Sequence, residues 1–126
     1  MVREVRGRVR LLVEVGLGIE QHGQDPTRAC VKAVKDAISR VCIPCIKEYF
    51  RAGNEDIDVD VLLGVPNPNE VRIEEVTKAL PIGNVNVRVV NGGLKARCIK
   101  LPELGDKSDE MLIAVAAITV YVRRGT

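Results

Sequence analysis

Aromatic side chains are the scarcest ingredient of this 126-residue chain: Tyr49, Phe50 and Tyr121 make up 2% of it, and tryptophan is absent. That scarcity excludes the stacking platforms on which single-strand nucleic-acid binders rely, and it leaves Val, Ile, Leu and Ala to build the core. An excess of one charge is lacking too. Lys and Arg total 19 against 17 for Asp and Glu, so no strong field draws the chain to nucleic acid or to a membrane surface. No apolar run approaches the ~18 residues of a membrane span. The basic residues near the N-terminus are not followed by an uninterrupted hydrophobic segment, so no signal peptide is expected and cytoplasm is the default. Histidine occurs once, at His22. Four cysteines in a cytoplasmic domain of this size read as thiols rather than as a disulfide framework.

What is present reads as one domain, 1–126, organised around the opening of a helix. Asp25 is a suitable N-cap and Pro26 a suitable first helical residue. Cys30, Ala33, Val34, Ala37, Ile38 and Val41 then recur with helical period, predicting a helix from Pro26 to Ile43. Pro44 forces a kink or restart, with a helical segment continuing to Phe50. Before it, residues 8–19 alternate as a strand, with Val9, Leu11, Val13 and Val15 on one face and Arg8, Arg10 and Glu14 on the other. With Arg6 these arginines make a basic stripe, read as the solvated face of an edge strand in preference to an anion site. Gly16 and Gly18 invite a phosphate-loop reading, but the third glycine of that motif is missing.

A second strand follows at 56–65, its aspartates Asp56, Asp58 and Asp60 solvated on one face. Asn69 is expected to cap a shorter helix running to Leu80. Asn84 to Val90 is the third strand, broken or bulged at Asn91-Gly92-Gly93 and resumed over 94–99. After a charged loop at 102–110, Met111 to Val122 is almost unbroken apolar sequence, as befits a central strand buried on both faces. The predicted fold class is α+β. Its plan is a β-α-β-α-β-β two-layer sandwich with a mixed four-stranded sheet and both helices on one face. The other face is left apolar and uncovered, which predicts a homo-oligomer.

Three groups of residues bear on chemistry. His22, Gln24 and Asp25 stand where a strand ends and a helix begins, a place where α/β units tend to hold ligands, although Asp25 suits a cap better than an acid. Asp106, Lys107, Asp109 and Glu110 crowd one loop, in which Lys107 suits holding an anion better than accepting a proton. Asn91 and Gly92 with Lys95 can offer backbone N–H groups and a cation to an oxyanion, or else merely form a bulge. Cys42-Ile43-Pro44-Cys45 is a CxxC motif. A redox dithiol wants its first cysteine at a helix N-terminus, whereas Cys42 falls near the end of the expected long helix. Small buried hydrophobes are therefore the preferred reading. No metal site and no cofactor are expected.

Taken together, HGQDPTRACVKAVKDAI at 22–38, VLLGVPNP at 61–68, VVNGGLKA at 89–96 and ELGDKSDEM at 103–111 resemble one conserved hypothetical family of small proteins, named after a Listeria locus tag. The element order is similar to the Bacillus chorismate mutase-like fold, shared by YjgF-type imine deaminases. It is similar more distantly to the domains of cyanuric acid hydrolases. That resemblance implies a trimer with ligand pockets between subunits. The family pattern usually has glycine where this chain has Cys45, and Ser108 varies in it, so no serine–lysine dyad is carried over. The expected function is binding of a small polar or anionic ligand at subunit interfaces, with hydrolysis of an amide or imine. The alternative is a non-catalytic assembly or regulatory protein. The expected ligand-lining set is His22, Gln24, Asp25, Asn91, Gly92, Lys95, Asp106 and Lys107, with no nucleic-acid or membrane partner.

Overall fold

Apolar residues spaced two apart place three long strands around one core. The computed structural model describes residues 4–5 and 7–123. In chain order the elements are β1 (Glu4–Val5), β2 (Arg8–Glu20), α1 (Pro26–Ile38), α2 (Ile43–Phe50), β3 (Ile57–Val65), α3 (Ile73–Thr77), β4 (Asn84–Asn91), β5 (Leu94–Arg97) and β6 (Glu110–Arg123), with short 3-10 turns at 54–56, 68–70 and 102–104. The sheet order is β1-β2-β6-β3-β4, parallel between β3 and β4 and antiparallel elsewhere. The four long strands are those expected, in an α+β two-layer sandwich with β6 in the middle.

The core joins Ile57, Val59, Val61, Leu63 and Val65 of β3 to Leu112, Ala114, Ala116, Ile118, Val120 and Val122 of β6, covered by Ala29, Cys30, Ala33, Val34 and Ala37 of α1. At Gly16 and Gly18, β2 meets α1 with no side chain of its own in between. A Cβ at Gly16 would collide with the backbone of Ala33 and Ala37, and one at Gly18 with the backbone of Ala29 and Ala33. The two glycines therefore let a helix lie directly on a strand, which is what the Gly-x-Gly spacing is for here.

Several expectations are corrected. Register shifts between Arg10 and Leu12, so Leu11 is a bulge and the strand changes phase there. Val13 and Val15 consequently point away from the core, and with Leu17 and Ile19 they are 44–56% exposed. Of the basic stripe, Arg6 lies outside the described residues, and Arg8 is no solvated residue: its guanidinium is 2.8 Å from Asp58 and 3.8 Å from the Tyr121 ring centroid. Asp58, expected in solvent, is 5% exposed. Arg8, Arg123 and Asn84 hydrogen-bond its carboxylate, and these bonds outweigh the upward push of burial to hold its pKa below the usual range.

Helix α1 stops at Ile38, short of Ile43. The Ser39 hydroxyl donates to the Asp36 carbonyl (2.6 Å) and Arg40 donates to the same carbonyl (3.1 Å), satisfying the last turn. Pro44 then occupies the first turn of a separate helix, α2, where its missing N–H costs nothing. Cys42 and Cys45 are consequently exposed and not buried, while Cys30 is buried and its thiol is pushed up to about 12 by desolvation. α3 is shorter than expected and begins after Arg72. The Arg72 N–H is tied 2.9 Å from Thr27 Oγ1, which holds residues 71–72 extended against the start of α1.

β4 ends in a glycine pair that lets the chain change lanes. Gly93 has φ +63° and no room for a Cβ beside the Ile113 carbonyl, so β5 leaves β4 and continues the lane of β3, pairing with β6 from Leu94↔Ile113 to Arg97↔Glu110.

Polar side chains of α1 and of Arg40 just beyond it close the outer edge of β2. The Leu17 N–H donates to Asp36 (2.8 Å), Arg40 donates to the Val15 carbonyl (2.9 Å), and Lys32 donates to the Ile19 carbonyl (3.0 Å). A capped edge resists strand-to-strand pairing with another chain. What stays open is the apolar face: Val13, Val15, Leu17 and Ile19 of β2, Val115 of β6 and Leu62 of β3.

Candidate functional site

β2 ends at Glu20, and the turn to the Asp25 cap must reverse the chain within four residues. It does so with two left-handed positions, Gly23 (φ +86°) and Gln24 (φ +48°). This turn meets the 102–110 loop through one carboxylate. The Asp106 side chain has no exposed surface. Its Oδ2 lies 2.8 Å from His22 Nδ1 and accepts the Leu101 N–H at 2.7 Å. Its Oδ1 accepts the Gly23 N–H at 2.9 Å and Gln24 Nε2 at 3.2 Å. The Leu101 N–H lowers the carboxyl pKa most; with His22, Gly23 and Gln24 it outweighs desolvation and holds Asp106 well below the usual carboxylate range. The group is therefore ionised at any ordinary pH, and a carboxylate can only accept, so the proton between them belongs to His22 Nδ1. In the neutral ring Nε2 then keeps its lone pair, and among the described residues it has no hydrogen-bond partner on a side chain that is 27% exposed.

Gln24 fixes the same junction from the other side. Its amide nitrogen also donates to the Glu110 carbonyl at 2.8 Å, and its oxygen accepts the Lys107 N–H at 2.8 Å. Its hydrogen-bonding capacity is spent on holding the 106–110 loop. Asp25 is occupied as well: it accepts from the Thr27 N–H at 2.9 Å and pairs with Arg72 at 3.1 Å. Burial pushes the Asp25 carboxyl up, but Arg72 and the backbone N–H groups of Thr27 and Arg28 prevail and its pKa is lowered.

Of the expected set, His22, Gln24, Asp106 and the Lys107 backbone are thus brought together, with Asp25 beside them as cap. Asn91 at the end of β4, Gly92 in the break after it and Lys95 on β5 lie at the same end of the sheet. Lys95 pairs with Leu112 of β6, which pairs in turn with Glu20 of β2, placing Lys95 two strand spacings, about 10 Å, from that turn. The Gly92 N–H is already given to the Val65 carbonyl at 3.3 Å, so it does not await an oxyanion. The side chains of Asn91, Lys95 and Lys107 are exposed.

Glu20 was not singled out from sequence. It is 3% exposed, ion-paired with Lys32 (2.9 Å) and Arg28 (3.4 Å), and its Oε2 accepts no hydrogen bond. Its parity with Gly16 and Gly18 was the available signal, since all three point beneath α1. Among the described residues no group of three or more His, Cys, Asp or Glu could hold a metal ion, and no helix is long and apolar enough to cross a membrane.

Fold and site together define a small α+β sandwich whose single histidine is held by a buried aspartate between two loops at one end of the sheet. HGQD and GDKSDE, which meet there, both fall within the stretch matched by one family model. The chain belongs to the family described as conserved hypothetical protein (Lin0512_fam), whose model matches residues 10–120. It is similar to a solved structure, an FtsZ-like protein of unknown function from Nostoc punctiforme, with 44% sequence identity and a TM-score of 0.82, over 93% of this chain and 98% of that one. No curated protein matches.

Proposed function

We propose that this protein binds a small polar or anionic molecule at a site between subunits of a homo-oligomer and hydrolyses an amide or imine there. The observation that carries the reading is the His22–Asp106 pair at 2.8 Å. A buried, ionised aspartate fixes the tautomer and orientation of the imidazole, and the Nε2 lone pair of the neutral ring can accept a proton from water. Water so activated attacks the carbon of the amide or imine while Nε2 takes its proton; the C–N bond then breaks, and the departing nitrogen receives that proton back from the ring, leaving an amine and a carboxylic acid or carbonyl product. The exposed cations Lys95 and Lys107, with Asn91, are the groups that would hold an anionic substrate, while Gln24 and Asp25 keep the turn in shape.

The open sheet face supports the oligomeric part. Its exposed stripe runs along β2 and ends at Ile19, three residues before His22, so a subunit covering the stripe reaches the rim of the site. The capped β2 edge favours stacking by the face over pairing by the edge. Three copies about a threefold axis is the arrangement favoured by the fold resemblance.

The test is a thermal-shift panel of small carboxylates, amides and imines on wild type and His22→Ala. A compound that raises the melting temperature of wild type and not of the variant supports the reading. No response, or equal responses from both proteins, overturns it. The second reading, a non-catalytic assembly protein, is favoured by the same apolar stripe, which needs no ligand to explain it. An oligomer that forms in both proteins while no compound acts on either selects it.

A further inference from the structure

A second pair of reactive side chains meets at the start of α2, away from the His22 turn. Cys42 is the N-cap of this eight-residue helix and Pro44 sits in its first turn. The Cys45 Sγ lies 2.7 Å from the Cys42 Sγ, so the two thiols stand side by side, and the Cys45 N–H donates to the Cys42 carbonyl at 3.1 Å. Both thiols are exposed, and Ile43 is the single buried residue of the helix. We propose that Cys42 and Cys45 are a redox dithiol that exchanges with disulfides, Cys42 attacking and Cys45 resolving.

The order of attack follows from the geometry. Cys42 stands at the amino end of a helix, where unpaired N–H groups favour negative charge. Cys45 lies one turn further into the helix, and its contact with the Cys42 sulfur is the leading reason its pKa is raised. It therefore keeps its proton until Cys42 has reacted. In the first step the Cys42 sulfur attacks one sulfur of R–S–S–R. The Cys42–S–S–R bond forms, the substrate S–S bond breaks, and RS⁻ leaves and takes up the proton from Cys42. In the second step Cys45, losing its proton to the departing thiolate, attacks the Cys42 sulfur and expels the second RSH. Two protein thiols are oxidised and one disulfide is reduced to two thiols, so the substrate itself is the oxidant.

Two cysteines elsewhere serve as internal controls: Cys98 is exposed without a partner thiol and Cys30 is buried. The experiment incubates reduced protein with glutathione disulfide or with insulin, quenches with an alkylating reagent, and maps the products by mass spectrometry. The expected products are a Cys42–Cys45 disulfide in wild type and a mixed disulfide on Cys42 in Cys45→Ser, forming at least about fivefold faster than any adduct on Cys98. Exchange with glutathione disulfide identifies a small-molecule source of the disulfide, and exchange with insulin a protein source. No Cys42–Cys45 disulfide from either reagent, or adducts on Cys42 no faster than on Cys98, overturns the proposal. A mixed disulfide that collects on Cys45 in Cys42→Ser as fast as on Cys42 in Cys45→Ser overturns the assigned order.

Discussion

Replacing Gly18 by alanine is expected to destabilise the fold through one methyl group. A Cβ there meets the backbone of Ala29 and Ala33, and those atoms cannot be moved by changing a rotamer. Either the 13-residue helix α1 lifts from the sheet or β2 bends away from it. Overpacking of this kind costs typically 1–3 kcal/mol, and it is felt along the whole contact, because Ala33 and Ala37 rest on Gly16 in the same way. Against this, alanine is preferred to glycine within a strand by roughly 0.5–1 kcal/mol. Because the contact is with unyielding backbone, the cost lies at the upper end of that range; the clash prevails, and the expected net loss is about 2 kcal/mol, or roughly 6–10 °C in melting temperature for a domain of this size. Gly64→Ala is the matched control. Its Cβ would lie 3.5 Å from the nearest atom, an ordinary contact, so its stability should stay within about 0.5 kcal/mol of wild type. Urea and thermal unfolding followed by circular dichroism measure both variants. If Gly18→Ala unfolds like Gly64→Ala, the direct seating of α1 on β2 is wrong. If it keeps full stability but loses binding of a phosphorylated ligand, the phosphate-loop reading of Gly16 and Gly18 returns.

Acid unfolding should register Asp106. Its folded pKa lies below its unfolded one, so its contribution is present in full above the unfolded carboxylate range, near pH 4, and is lost as the pH falls toward the folded value. Asp106→Asn, measured by chemical denaturation between pH 7 and pH 3, should be less stable than wild type at pH 7, with the gap narrowing toward pH 3; a constant gap would contradict the assignment. Val15→Lys combined with Leu17→Glu puts charge on the open face and leaves the core untouched, so light scattering should report dissociation to monomers. A wild-type protein that is already monomeric at micromolar concentration sinks the oligomeric proposal. Asp36→Ala uncaps the Leu17 N–H and frees Arg40, and concentration-dependent strand pairing by infrared spectroscopy should rise. An unchanged spectrum would show that Lys32 alone protects the edge.

The strands and their order along the chain were legible because their alternation is a local pattern. The opening of α1 was legible for a similar reason, since Asp25, Pro26 and the stripe through Ala37 all lie within 13 residues. Faces and ends were harder to read. The β2 bulge at Leu11 exchanges inward and outward residues, and nothing in RVRLLVEV distinguishes a bulged strand from a regular one. The end of α1 depends on Ser39 and Arg40 capping carbonyls, and the short α3 depends on Thr27, 45 residues away, holding the Arg72 N–H. Asp58 reads as solvated until Arg8 and Arg123 arrive from other strands. The same holds for the site. HGQD and GDKSDE each look like a polar turn, and the functional reading arises only when Asp106 meets His22 across 84 residues. Cys42 was misjudged because a helix that in fact stops at Ile38 was extended through it.

The central claim is that Asp106 holds the proton of His22 on Nδ1 and leaves Nε2 free to act. This is the only histidine in the chain, so nitrogen-15 NMR of uniformly labelled protein yields one pair of ring signals to interpret. Long-range correlation spectra of the neutral ring are expected to show a protonated Nδ1 and a bare Nε2 in wild type, and to lose that fixed tautomer in Asp106→Asn. A proton on Nε2, or rapid averaging over both nitrogens in wild type, would contradict it.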